Sequence, residues 1–170
     1  GVDVQGQPKY TGESAVCGRW AGALAERLGR SGLRCEIQFY NDWRRVMFEH
    51  LVFDCAINLV GALHNNQPVK DVARYYQAEC IEMIEELARA LRGILAVTLL
   101  YGYEERILAY AESPAVADAK TGVEKETFPW RHGFFYDMSM MAREKGWPDP
   151  CPMHSEYLGY GNSEGLFSIQ

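Results

Sequence analysis

The sequence lacks a long apolar run and an excess of basic residues, and each absence excludes a class of protein. The longest nearly uninterrupted apolar stretch, residues 93–101, is much shorter than the roughly 20 residues that cross a bilayer as a helix. The formal net charge of -6 disfavours non-specific binding of nucleic acid or anionic lipid, although it leaves room for a local basic patch. We therefore expect no membrane span and no nucleic-acid partner, while peripheral association with a membrane complex stays open.

Regular cysteine spacing is also missing. The five cysteines are an odd number, and most of them lie among apolar residues, where a reduced thiol packs as a small hydrophobic group. This usage is typical of a reducing intracellular compartment rather than of a secreted, disulfide-bonded protein.

Signatures of nucleotide binding and metal binding are missing as well. The chain has no G-x-G-x-x-G after a predicted strand, no predicted alternation of strands and helices to carry one, and no H-E-x-x-H pair. Cys151 and His154 are three residues apart, but a structural zinc site needs about four ligands. His50, Asp54 and His64 follow one helix without a metal signature, so we expect no metal. We also expect no Ser/His/Asp elbow of the G-x-S-x-G type and therefore no hydrolase chemistry.

The residues that are present predict one mainly α-helical domain. With 48% apolar residues in 170, the chain is large enough to bury a core, and its apolar positions recur mostly at helical spacing. We expect a linker-like segment at 1–12, a helical domain at 13–160 and a loose tail at 161–170. The predicted helices are 13–30, 41–64, 68–100 with a possible break at Gly93, 103–112, 134–145 and a last turn at 154–158, with a short strand in 33–40, a loop at 113–127 and a rigid proline strap at 147–152.

The predicted helix 41–64 carries a line of polar side chains. His50, Asp54, Asn58 and Gly61 follow each other at intervals of four, four and three residues, which places them on one stripe of an otherwise apolar helix. Two readings stay open: the groups bond to neighbouring helices or a buried water, or they form a site. Leaving them unpaired would cost about 1–3 kcal/mol each.

This stripe resembles a motif of the ketopantoate reductase family. The run FEHLVFDCAINLVGAL at 48–63 is similar to the family pattern W-x-K-L-x-x-N-x-x-x-N-x-x-x-A, and AERLGRSGL at 25–33 and ETFPWRHG at 126–133 are similar to family segments before and after it. The resemblance implies the helical C-terminal domain of that family. In the family, a separate Rossmann domain binds NADP, a lysine acts as general acid, and asparagines and a glutamate hold the ketoacid.

The chain departs from the family at the positions that perform the chemistry. His50 replaces the lysine and Asp54 the first asparagine, Asn58 keeps the family residue, and the glutamate position falls on Thr127 with Glu126 one residue out of register. Hydride transfer needs a bound nicotinamide, so we read these as degenerate positions, with His50 and Asp54 as a packed hydrogen-bonded pair. We expect no catalytic residue and no cofactor in this chain; the alternative is NADP bound by a missing domain.

An aromatic segment is the candidate for binding a partner. Dense aromatic residues here are most often core, but a cluster next to an arginine can also anchor a protein partner, since Trp, Tyr and Arg are favoured at binding hot spots. The candidate residues are Trp130, Arg131, His132, Phe134 and Phe135.

The hypothesis that follows is a non-catalytic structural or interaction subunit of reductase ancestry within a larger assembly. WRHGFF at 130–135 and PDPCP at 148–152 resemble plant, algal and cyanobacterial relatives, which suggests a plastid location on the stromal side and a photosystem complex as host. The alternative is the substrate-side half of an NADP-dependent ketoacid reductase. A third is a small-molecule sensor that retains the pocket around Asn58.

Overall fold

A computed structural model describes residues 14–169, and within them the protein is mainly helical, as predicted. The predicted linker-like segment 1–12 and Glu13 lie outside the described residues. The elements in chain order are β1 (Ser14–Val16), α1 (Ala21–Arg30), β2 (Cys35–Ile37), α2 (Tyr40–Leu63), α3 (Val69–Tyr75), α4 (Gln77–Leu95), α5 (Tyr103–Ala111), a 3-10 turn at Phe128–Trp130, α6 (His132–Glu144) and α7 (Pro152–Ser163).

The N-terminal part is a β-α-β unit rather than the single helix predicted for 13–30. β1 pairs in parallel with β2, with Ser14 opposite Cys35, and α1 connects the two strands. Gly18 has a φ of 97°, a backbone conformation that favours glycine, and this turn separates β1 from α1. The short strand predicted in 33–40 is confirmed as β2.

The central helix of the bundle is α2, which agrees within one residue at each end with the prediction of 41–64. Its second half is buried because α3, α4, α5 and α7 pack around it. By length and composition α2 could also cross a membrane, which the sequence analysis overlooked, but the core helix of a soluble protein passes the same test. Its packed neighbours account for its apolar character here.

The predicted long helix 68–100 is two helices, α3 and α4, that meet at Tyr76. The Tyr76 ring stacks on His64, with 3.7 Å between centroids and 11° between planes, and its hydroxyl accepts a hydrogen bond from Gln67 Nε2 at 3.3 Å. These contacts hold Tyr76 out of helical geometry, with a φ of -119° and a ψ of 32°. The predicted break at Gly93 was wrong: α4 ends at Leu95, and Ala96, with a φ of 53°, is its C-cap.

The C-terminal third follows the predicted order with different bounds. Residues 113–127 form turns without a helix, as expected, and the strap 147–151 is extended or bent. Pro152, assigned to the strap, instead begins α7, where proline suits the first turn. The tail predicted to be loose from 161 differs too, because α7 runs to Ser163 and both Phe167 and Ile169 pack against the core.

A buried polar network joins α4, α6 and α7. The Glu86 carboxylate accepts the backbone N–H groups of Met153 and His154, both at 2.9 Å, at the start of α7. His132 Nδ1 and His154 Nε2 lie 3.3 Å apart in the core. Burial lowers the pKa of His154 to about 4 and holds the pKa of His132 well below its usual value, while burial raises the pKa of Glu86. Both imidazoles are therefore neutral at pH 7.

Candidate functional site

A pocket of about 520 Å³ opens beside the middle of α2. Its wall combines α2, the start of α3, the segment 116–124 and Arg131, and it includes two of the family-like positions, Asp54 and Asn58. Four charged side chains line it: Asp54, Lys120, Glu124 and Arg131. The sequence placed Asp54 and Asn58 on one helix stripe, and the fold turns that stripe toward a cavity.

The segment 116–124 is held against α2 and α3 mostly by backbone hydrogen bonds. Val69 N donates to Ala119 O at 2.9 Å, and Thr121 Oγ1 donates to Gln67 O at 2.8 Å. Gly61 permits this approach, because a Cβ at this position would overlap the Thr121 side chain. Gly61, the last member of the predicted stripe, therefore has a role in packing.

The Asp54 carboxylate has an arginine and a histidine as neighbours at ion-pair distance. Its Oδ2 lies 3.7 Å from Arg131 Nε and 3.8 Å from His50 Nε2, both longer than a hydrogen bond. Its side chain is 18% exposed, whereas that of His50 is 56% exposed. The prediction of a packed, hydrogen-bonded His50–Asp54 pair was wrong: His50 lies at the surface against the rings of Phe53 and Tyr110 and outside the pocket lining.

Asn58 bonds within the fold. Its Nδ2 donates to Asp54 O at 2.8 Å and its Oδ1 accepts from Gly122 N at 3.3 Å, so the amide ties α2 to the pocket segment. This is the bonding that one of the two readings of the stripe anticipated. Asp54, by contrast, lines the cavity.

Glu126 does not reach the pocket. It is exposed in the turn before the 3-10 segment, while Glu124, two residues earlier, lines the cavity. Thr127, at the family's glutamate position, is half-buried, and its hydroxyl donates to Glu124 O at 3.4 Å. In this segment the carboxylate that lines the pocket is therefore Glu124, which the sequence pattern did not single out.

The aromatic segment predicted to bind a partner is mostly interior. His132 and Phe135 are buried, and Phe134 is half-buried and packs on Phe48 with 5.6 Å between ring centroids. Arg131 faces the pocket, and only Trp130 of the five residues is exposed. The rings on α6 mostly pack into the core, so Trp130 is the main exposed side chain of this cluster.

Exposed large apolar side chains are densest in residues 14–47, which the sequence had not marked as a surface: this short segment holds eight of them, and nine are spread over the rest of the described chain. We call this surface the docking face. Only Ala21 is buried between residues 14 and 47, although the segment carries many large apolar side chains. Phe39 is 84% exposed and Trp20 is 71% exposed, and the other exposed members are Leu24, Leu33, Ile37, Tyr40, Val46 and Met47.

The docking face also differs in charge from the rest of the chain. Residues 14–47 contain six arginines and three carboxylates, a formal charge of +3, whereas the whole chain carries -6. The remainder is therefore at -9. The net charge of the whole chain does not reveal this division, whereas the net charge of each segment does.

No grouping of three or more His, Cys, Asp or Glu side chains suitable for a metal ion occurs in the part of the chain that the structure describes.

Residues 161–165, Gly-Asn-Ser-Glu-Gly, match G-x-S-x-G, a match that the expectation of no hydrolase chemistry overlooked. A nucleophile elbow needs a strand-to-helix turn. Here the motif lies at the C-terminal end of α7 and not in a strand-to-helix turn. Ser163 Oγ donates a hydrogen bond to Tyr160 O at 2.8 Å, so this serine lacks the setting of a nucleophile elbow.

Searches against protein-family models, curated proteins and solved structures found no match to the chain.

Proposed function

We propose that the protein is a non-catalytic interaction domain of ketopantoate reductase ancestry that binds a larger assembly through the docking face. The observation that carries the proposal is the concentration of exposed apolar side chains in residues 14–47. Groups of exposed large apolar side chains are typical of interaction surfaces in folded proteins. The resemblance to plant and algal relatives makes a plastid assembly on the stromal side, with a photosystem as the example, the proposed host.

The short sheet supports the same proposal. Parallel strands are normally found in larger sheets that are covered on both faces, but β1 and β2 have three residues each and no third strand joins them within residues 14–169. A partner that covers this unit would bury the apolar side chains of both strands and of α1.

Native association tests the proposal. Untagged protein from its source cells should co-migrate with a large complex in size-exclusion chromatography, and a free monomer throughout would contradict the proposal. Adding variants back to the complex depleted of this chain then locates the surface. Trp20→Ser with Leu24→Ser should abolish rebinding, while the matched pair Met141→Ser with Tyr160→Ser, on exposed positions of α6 and α7, should rebind normally.

A second candidate function has an observation of its own in its favour. Asp54 and Asn58, two positions of the family motif, line one cavity with Lys120 and Arg131, whose positive charges suit a carboxylate ligand. On this alternative the chain is the substrate-side half of an NADP-dependent ketoacid reductase, and an α/β unit covering β1 and β2 holds the dinucleotide. The residues described here would orient the ketoacid, and the family's general-acid lysine has no counterpart at His50.

Assay of the complete gene product separates the two candidates. The alternative predicts NADPH binding and turnover of a 2-ketoacid, with activity lost in Arg131→Ala and kept in the control Arg143→Ala on the far end of α6. An intact complex that neither binds NADPH nor reduces ketoacids supports the non-catalytic reading.

A further inference from the structure

The outward side of α1 carries anchors of a kind common at protein interfaces. Trp20, Leu24 and Arg27 follow at intervals of four and three residues and all three are exposed, so they share one stripe of the helix. The stripe facing β1 and β2 contains Ala21, Ala25 and Leu28 instead, of which Ala21 is buried. An apolar stripe therefore remains after α1 has packed on its own sheet.

The charge around this stripe is positive. Arg19 lies over the Trp20 ring, 5.1 Å from the centroid, and Arg27 has no ion pair with the described residues. Arg30 pairs with Glu26 at 2.5 Å, which neutralises the only carboxylate on α1. The arginines next to the two apolar anchors are thus available to carboxylates from outside.

Resting on the proposed interaction function, we infer that the α1 stripe binds in an apolar groove of an acidic protein partner. Trp20 and Leu24 lie in the groove. Carboxylates of the partner at the rim of the groove face Arg19 and Arg27. Helices that bind grooves use anchors at intervals of three and four residues. Trp and Arg are the residue types most enriched at hot spots. A nucleic acid would match the charge and leave Leu24 uncovered, and for this reason a protein is the better fit.

Zero-length cross-linking tests the chemistry of the partner directly. Arg27→Lys introduces an amine that a carbodiimide joins to a carboxylate in contact with it, and mass spectrometry then identifies the joined peptide. We expect coupling to an Asp or Glu of the partner in the native complex. Arg89→Lys is the matched control, since Arg89 is exposed on α4 away from the stripe, and should give no partner coupling.

Affinity measurements with the partner so identified supply the second readout. Arg27→Glu should weaken binding about tenfold or more, and the loss should shrink as salt is raised, because rim charges act through screened electrostatics. Arg89→Glu should leave the affinity unchanged.

The outcomes separate the two proposals. A photo-cross-linker at Trp20 that labels a partner, with no coupling at position 27 and no effect of Arg27→Glu, would keep the docking face and overturn the acidic groove. Labelling of nucleic acid or lipid at Trp20 would also overturn it. A chain that is labelled by nothing and runs as a free monomer would overturn the proposed interaction function itself.

Discussion

At the scale of single residues, burial changes the acid–base properties of two histidines. His132 and His154 are both in the core with their facing ring nitrogens 3.3 Å apart, and the second ring nitrogen of His154, Nδ1, has no hydrogen-bond partner among the described residues. Burial makes protonation of the His154 imidazole unfavourable and lowers its pKa, and the charge of Asp149 offsets this only in part. Protonation of this pair at low pH therefore disfavours the folded state.

The histidine pair predicts a loss of stability in mild acid. The folded-state pKa of His154 is about 4, below the ordinary value of 6.5, so between these values the unfolded chain binds more protons and stability falls as pH falls. From pH 7 to pH 5 we expect a loss of roughly 2 kcal/mol from His154 alone, with a further loss from His132. Urea unfolding at the two pH values measures it.

Two histidine variants serve as controls for that measurement. Gln cannot be protonated, so His154→Gln should remove the His154 part of the pH dependence and leave the part due to His132, even if the variant lowers stability overall. His50→Gln, at an exposed position, should keep the full dependence. A wild-type stability that stays constant between pH 7 and pH 5 would contradict the burial argument.

Gly61 illustrates a second constraint at one position. Gly61→Ala should push the Thr121 side chain and the pocket segment away from α2 and cost about 1–3 kcal/mol. Gly93→Ala is the matched control, because a Cβ there meets nothing within 4 Å and alanine favours a helix interior by about 0.5–1 kcal/mol. Thermal unfolding should move in opposite directions for the two variants, and equal shifts would contradict the packing role of Gly61.

At the scale of elements, the sequence predicted those helices whose packing agrees with their local pattern. α2, α5 and α6 lie within two residues of their predicted bounds, because the apolar residues that neighbouring helices bury recur at helical spacing or fill a run long enough to be a helix. The break at Tyr76 depends on a ring stack with His64, twelve residues earlier, and periodicity carries no such information. β1 was missed because its pairing with β2 is decided by contacts across the intervening helix.

The start of α7 depends on a carboxylate from another helix. Glu86→Gln should weaken the attachment, because the amide offers one acceptor where the carboxylate offers two to the N–H groups of Met153 and His154, and we expect a loss of about 1–3 kcal/mol. Hydrogen exchange of these two amides should accelerate more than exchange in α2. Glu85→Gln, at the exposed neighbouring position, should change neither; a similar effect from both variants would contradict the capping role.

At the scale of the whole molecule, the sequence indicated the correct fold class, whereas the structure moves the candidate partner surface. The stripe through Asp54 and Asn58 was identified from spacing alone, and it borders the cavity. The partner surface was sought in the aromatic segment 130–135, because residue type does not distinguish core from interface. Exposure becomes known only when every element is placed, and that placement moves the candidate surface to residues 14–47.

The division of the molecule into a packed bundle and a thinly packed N-terminal unit predicts unequal protection from hydrogen exchange. α2 and α4 are buried among other helices, whereas residues 14–39 bury one side chain, Ala21. Backbone amides of β1, α1 and β2 should therefore open locally and exchange at least roughly a hundredfold faster than those of α2 between Val52 and Ala62. In the native complex their protection should rise while that of α2 stays unchanged. Equal protection of both regions in the free protein would mean that the β-α-β unit is stable without a partner, and would remove the support that the short sheet gives to the docking face.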